Sequence, residues 1–249
     1  MMMKAQTEAM RALAYTASAA LDLSRHHPDD TERRRNQALV DLLIPVVKGW
    51  CTESCVEVAS TGIQVHGGVG FVEETGAAQF LRDARITTIY EGTTGIQAAD
   101  LVGRKVGFEK GATAFAMIDD MRKLDAEISR SRNADVAAQR GNLEHAVDGL
   151  NRATQWLVDT FARDPNAVAA VSVPYLKLWG TVAGGWLMAR AASIAETQLA
   201  AGAGDADFYR GKIATARFYS EHILPQASGL ASEVVNGAGS VLALTEAQF

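Results

Sequence analysis

The residues Arg85 to Lys105, RITTIYEGTTGIQAADLVGRK, break a β-branched run with a single carboxylate, Glu91, followed by Gly92, Thr93 and Thr94. Thr93 or Thr94 can cap the helix GIQAADLVGRKV, in which Ile96, Ala99, Leu101 and Val102 recur with helical rather than strand spacing. Glu91 and Gly92 therefore lie just outside a helix N-terminus. A carboxylate there either faces the positive end of the helix dipole, worth about 0.3–1 kcal/mol, or accepts a proton at a site whose surroundings tune its pKa. Spacing alone leaves both readings open.

Other residues invite chemistry less strongly. HGGVG, His66 to Gly70, should terminate a helix, since paired glycines adopt left-handed geometry and let another backbone or a ligand approach closely. Cys51 and Cys55 are four apart in a helical pattern, which gives poor disulfide geometry, and no further His or Cys completes a metal set. They read as small, buried, reduced residues, and no metal site is expected. Arg33, Arg34 and Arg35 read as a solvated helix face, His26 and His27 as a favourable helix C-terminus, and His145 and His222 as polar-face residues. Gly184 and Gly185 beside Trp179 and Trp186 read as close helix packing rather than a ligand pocket.

The elements that must position Glu91 are helices. Met3, Met10, Leu13, Ala14, Ala17 and Leu21 form one stripe from Met1 to about Arg25, and HHPDD ends it. A second helix starts near Asp30 or Thr31, either of which can cap it, and runs to about His66, with Pro45 kinking or restarting it. A short helix follows Thr75 through GAAQFLRDAR, before ITTIY. GFEKGA, Gly107 to Ala112, is the best domain boundary, and three or four more helices follow it. The expectation is an all-α fold, a helical bundle over residues 1–106 and a second helical domain over 107–249.

Composition sets outer bounds. At 249 residues and 48% hydrophobic content the chain can bury a sizeable core, and a net charge of −5 argues against a broad nucleic-acid surface. No 18-residue apolar run and no basic leader followed by an apolar stretch occurs, so neither membrane nor nucleic acid is an expected partner and a cytoplasmic location follows by default.

Three motifs then converge. IQVHGGVGFVEETGAAQFLRDARITTIYEGTTGIQ, Ile63 to Gln97, resembles the C-terminal helical domain of the flavin-dependent acyl-CoA dehydrogenases. That family carries Q-x-x-GG-x-G, then RDARI or a near variant, then IYEGT-x-x-IQ, matched here in order by Gln64 to Gly70, Arg82 to Ile86 and Ile89 to Gln97. The resemblance implies that Glu91 is the base that removes the α-proton of an acyl-CoA thioester while a hydride leaves the β-carbon for FAD, giving a trans-2-enoyl-CoA. It implies that the backbone N–H of the base helps to hold the thioester carbonyl, and that Gly92 lets the acyl-CoA lie against the backbone. Thr93, Thr94 and Gly95 would approach FAD. Gln64, Val65, His66, Gly67 and Gly68 would contact the FAD of a neighbouring subunit in a homo-oligomer, with helix capping an equal role for His66. Electron-transferring flavoprotein is the implied electron acceptor; in the related acyl-CoA oxidases, which share the fold, it is oxygen.

The segment after Gly107 resembles, more loosely, the helical domain appended to long, methylmercaptopropionyl-CoA dehydrogenase-like members, where a structural role is expected. The family's N-terminal helical domain, its β-domain and the first helix of its C-terminal domain have no counterpart in these 249 residues. The chain is thus expected to be an incomplete, inactive fragment when isolated, with uncovered apolar faces that favour self-association. A non-catalytic helical assembly module that has kept the motif is one alternative, and an acyl-CoA oxidase is another.

Overall fold

The hairpin that opens the chain pairs α1, Met2–His26, with α2, Asp30–His66. This computed structural model describes residues 1–241 and 243–248, and the elements among them are helices and turns, with no strand. Asp29, rather than Asp30 or Thr31, caps α2: its carboxylate accepts from the Thr31 N–H at 2.6 Å. The helix also runs unbroken through Pro45. Proline costs a helix interior about 3 kcal/mol, and here it is outweighed by burial of Leu42, Leu43 and Val46 around it.

Gly67, at φ +64°, ends α2 and leads into the single turn α3, Gly68–Phe71, then a 3-10 turn at Glu73–Thr75. Gly76, also left-handed, starts α4, Ala77–Thr87, which packs back along α2. ITTIY is therefore not a separate segment. Its first two residues, Ile86 and Thr87, finish α4, and Thr88 caps it, buried one turn beyond Ala84. A short loop leads to α5, Thr94–Asp100, which passes directly into a π-helix, Leu101–Gly107, where a single α-helix was expected. Burial of Leu101, Val102 and Val106 holds this wider coil. Gly107 meets the second half so closely that a methyl group there would lie 2.8 Å from the Phe161 ring, on which Phe108 also stacks edge-on.

Beyond Gly111 come α6 (Ala112–Ile128), α7 (Ala134–Ala137), α8 (Arg140–Phe161), α9 (Pro165–Ala170), α10 (Ser172–Ala200), α11 (Ala206–His222), α12 (Gln226–Asn236) and α13 (Ala238–Val241). The sequence reading of three or four helices is too coarse. Residues 133–161 hold a capping turn and α8, and residues 206–236 divide at Pro225 into α11 and α12. Asn133 supplies a side-chain cap for α7, and Pro225, with no N–H, cannot continue α11.

α10 is the axis of this half and is apolar nearly all round, with Tyr175, Leu178, Trp179, Val182 and Ala183 fully buried. Its glycines are packing sites, as read from the sequence, but the ring they admit comes from the first half. A methyl group at Gly180 would lie 2.0 Å from Trp50 Cγ, and one at Gly184 would lie 3.0 Å from Trp50 Cη2 and 2.7 Å from the Tyr219 hydroxyl. Buried apolar residues from both sides of Gly107 consequently form one continuous core.

Candidate active site

Glu91 stands in a six-residue loop, residues 88–93, between α4 and α5. Its φ is +53°, in the left-handed region that non-glycine residues avoid, and Gly92 follows at +89°. For a non-glycine residue that region costs about 1–2 kcal/mol. The loop is closed behind it. Thr94 N–H donates to the Thr88 carbonyl at 3.2 Å, Thr93 Oγ1 caps α5 by accepting from the Ile96 N–H at 3.3 Å, and Gln97 Nε2 donates to the Glu91 carbonyl at 3.4 Å. Thr93 is thus the cap, whereas Thr94 turns to α2 and donates its hydroxyl to Glu53 Oε1 at 2.5 Å. A methyl group at Gly92 would lie 2.8 Å from Gln97 Nε2. Among the described residues the backbone N–H of Glu91 has no protein acceptor.

Glu91 borders an open cleft of about 560 Å³ between α1 and α2, walled by apolar groups such as Ala17, Leu21, Val40, Ile44 and Val47. Tyr90 and Lys48 share that border. Lys48 Nζ donates to the Thr87 carbonyl at 2.5 Å and lies 5.4 Å from the centre of the Tyr90 ring, within cation–π range. A lone carboxylate with a bare neighbour and an apolar cleft beside it suits acid–base chemistry on an apolar substrate.

The glycine turn lies elsewhere. Gln64, Val65, His66, Gly67 and Gly68 are all exposed at the far end of α2. Gln64 is 16 residues beyond Lys48, about 24 Å along the axis at 1.5 Å per residue. One chain therefore does not unite the two groups in a single pocket. Gly67 is required by its φ of +64°, and Gly68 by nothing in the fold: a methyl group at either would meet no atom within 4 Å. The glycine that packing demands is Gly70, where a methyl would strike the Ile63 carbonyl at 2.4 Å. His66 occupies the last turn of α2, a favourable place for a helix-capping cation, and borders a second apolar groove with Met3, Val58 and Phe80. Arg82 of the RDARI motif makes a two-bond contact with Glu73, at 2.9 and 3.1 Å, that ties α4 to the preceding turn.

The cysteines are not both buried. Cys51 is half-buried against the Met10 carbonyl, and burial, with Cys55 as a lesser cause, pushes its thiol up to about 12. Cys55 is exposed, one helical turn further on. Sequence reasoning missed Lys48 and Glu53, because their partners lie 39 and 41 residues away and only the return of α4 along α2 brings them close.

Comparison with known proteins assigns this arrangement to a class. The family description "Acyl-CoA dehydrogenase, C-terminal domain" matches residues 1–106, and "Acetyl-CoA dehydrogenase C-terminal like" matches residues 115–245. The chain belongs to the acyl-CoA dehydrogenase family. It is 45% identical over 242 residues to the 3-methylmercaptopropionyl-CoA dehydrogenase of Ruegeria pomeroyi, an alignment covering 96% of this chain and 40% of that protein. Two crystal structures share its fold. The Caenorhabditis elegans ACDH-11 complex with C11-CoA superposes with a TM-score of 0.71 at 21% identity, over 93% of this chain and 38% of the other. An acyl-CoA dehydrogenase of Bacillus anthracis complexed with FAD does so at 0.68 and 15% identity, over 97% and 44%. The chain thus spans about two fifths of the length of these relatives.

Proposed function

We propose that this chain is the base-bearing C-terminal part of an FAD-dependent acyl-CoA dehydrogenase, composed of the 1–106 helical domain and the 107–249 appended helical domain. The observation that carries the reading is Glu91 held in a left-handed conformation beside an apolar cleft. Backbone strain of this kind concentrates where function fixes a side chain.

The Glu91 carboxylate takes the α-proton of an acyl-CoA thioester, and the product is the trans-2-enoyl-CoA. An α-proton of this kind is weakly acidic, so the site must also stabilise the negative charge that develops on the thioester oxygen. The Glu91 N–H, without a protein acceptor, is available to donate to that oxygen. Gly92 leaves the substrate's thioester free of a side chain, and the α1–α2 cleft sets an apolar wall beside the carboxylate. FAD, when bound, supplies the acceptor for the β-hydride. The residues assigned to FAD fit it: the glycine turn Gly67–Gly68 offers an open backbone, with exposed Gln64, Val65 and His66 beside it, and Thr93, Thr94 and Gly95 head α5 next to the base. Their separation along α2 agrees with the turn serving the FAD of a neighbouring copy in a homo-oligomer.

Electron-transferring flavoprotein is the proposed acceptor of the electrons and the cytoplasm the proposed location; no helix among the described residues is long and apolar enough to cross a membrane. A second reading, a non-catalytic assembly module, draws support from the apolar cluster around the glycine turn, where Val65, Phe71 and Phe80 are 75, 80 and 73% exposed.

The test uses the complete flavoprotein under anaerobic acyl-CoA. Wild type is expected to bleach its flavin, and Glu91→Gln to retain FAD without bleaching. Equal bleaching in both places the base elsewhere, and no bleaching in either across a range of acyl-CoAs favours the assembly module.

A further inference from the structure

The loop that carries Glu91 is anchored at both ends to one helix, and neither anchor belongs to the motif that identifies the site. At its start, Lys48 Nζ donates to the carbonyl of Thr87, the last residue of α4; at its end, Thr94 Oγ1 donates to the Glu53 carboxylate, both at 2.5 Å. Each bond has one charged partner, the stronger kind of hydrogen bond. Lys48 and Glu53 are five residues apart on α2, about 7.5 Å along its axis.

We infer that Lys48 and Glu53 are positioning residues for Glu91, a two-point clamp by which α2 holds the loop, with its left-handed Glu91, in place beside the cleft; the inference rests on the reading of Glu91 as base. A residue at φ +53° stays there only when its surroundings over-determine it. The bonds within the loop, Thr94 N–H to Thr88 and Gln97 Nε2 to the Glu91 carbonyl at 3.4 Å, fix its shape but not its place relative to the cleft. The clamp fixes the place, since the α2 segment it uses also walls the cleft through Val47, Lys48 and Cys51. That segment is itself immobilised. Gly49 sits under Leu176, and Trp50 is seated on Gly180, both on α10, so the appended helices lock the stretch between the two anchors. Glu53 is exposed and Lys48 half-buried, and neither fills the core, so both can be changed without unfolding the chain.

Amide exchange on the 249-residue chain tests the clamp without reference to activity. Glu53→Ala is expected to speed exchange at Thr94 about ten-fold or more, the loss of one hydrogen bond to a charged group, while amides within α2 stay as in wild type. Glu53→Gln keeps an acceptor for the Thr94 hydroxyl and is expected to exchange like wild type. In the FAD-loaded complete enzyme, Glu53→Ala and Lys48→Met are expected to lower kcat by roughly 10- to 100-fold, as small misplacements of a reacting group do, with KM little changed and Glu53→Gln restoring the rate. Unchanged Thr94 exchange, or wild-type kcat in Glu53→Ala while Glu91→Gln is inactive, overturns the clamp and leaves the base standing. Full turnover by Glu91→Gln overturns the base, and the positioning role with it.

Discussion

At the scale of single residues, the sequence identifies Glu91 by its company but hides what the residue costs. Nothing in YEGT announces a φ of +53°, because only the bonds that close the loop, from Thr94 to Thr88 and from Gln97 to Glu91, impose it. Glu91→Asn, a residue that tolerates the left-handed region, is therefore expected to leave thermal stability unchanged or raised by up to about 1 kcal/mol while abolishing α-proton abstraction. Thermal unfolding beside the bleaching assay checks both halves. The paired glycines were legible as a turn, yet their two reasons for being glycine separate only in the structure. Gly67→Ala forces a side chain to φ +64° and is expected to cost about 1–2 kcal/mol. Gly68 lies in the first turn of α3 with nothing within 4 Å of the added methyl, so Gly68→Ala is expected to stay within about 0.5 kcal/mol of wild type. If an FAD backbone lies there, that same variant loses cofactor affinity in the complete enzyme. Equal FAD retention by Gly68→Ala and wild type would remove Gly68 from the site.

At the scale of elements, periodicity located every long helix but not the contacts among them. Gly184 and Gly185 were readable as close-packing positions because small residues beside tryptophans on an apolar helix have few other uses. The partner was not readable: the ring that fills the groove is Trp50, 130 residues before Gly180, and neither Trp179 nor Trp186 takes that place. A further failure has a tertiary cause. The π-helix at Leu101–Gly107 is a choice in which burial outweighs local propensity, as is the continuation of α2 past Pro45 without a restart. The Trp50 seat yields a direct test. Gly180→Ala drives a methyl group against Cγ of a fixed ring and is expected to destabilise the chain by about 1–3 kcal/mol. Trp50→Leu added to it should lose less than the two single losses combined, since the pair occupies one space. Urea midpoints of the four proteins measure this, and strict additivity would show that the clash relaxes at no cost.

At the scale of the whole molecule, the two family matches meet at residues 106 and 115, but the core does not divide there. GFEKGA lies in the gap between the two matches, and a sequence cannot show whether the pieces on either side share a core. Ion pairs cross that gap too. Glu8 of α1 takes Lys212 of α11 at 2.9 Å as well as its own neighbour Lys4, with only 11% of its side chain exposed. Burial alone would raise the Glu8 pKa, but hydrogen bonds from the two ammonium groups outweigh it and hold the carboxyl below its ordinary 4.5. A carboxyl held low in the folded state contributes stability that is present above its unfolded value and lost as pH falls through the folded one. The stability gap between wild type and Glu8→Gln is therefore expected to be full near neutral pH and to close as pH drops below about 4.5. Because α1 and α11 share one core, that loss should be felt across the molecule. Fluorescence of Trp50 in the first half and Trp179 in the second, each observed as the sole tryptophan, should follow one urea transition and shift together as pH falls. Separate midpoints for the two probes would mean that the halves unfold independently and that the Trp50 seat on α10 does not couple them.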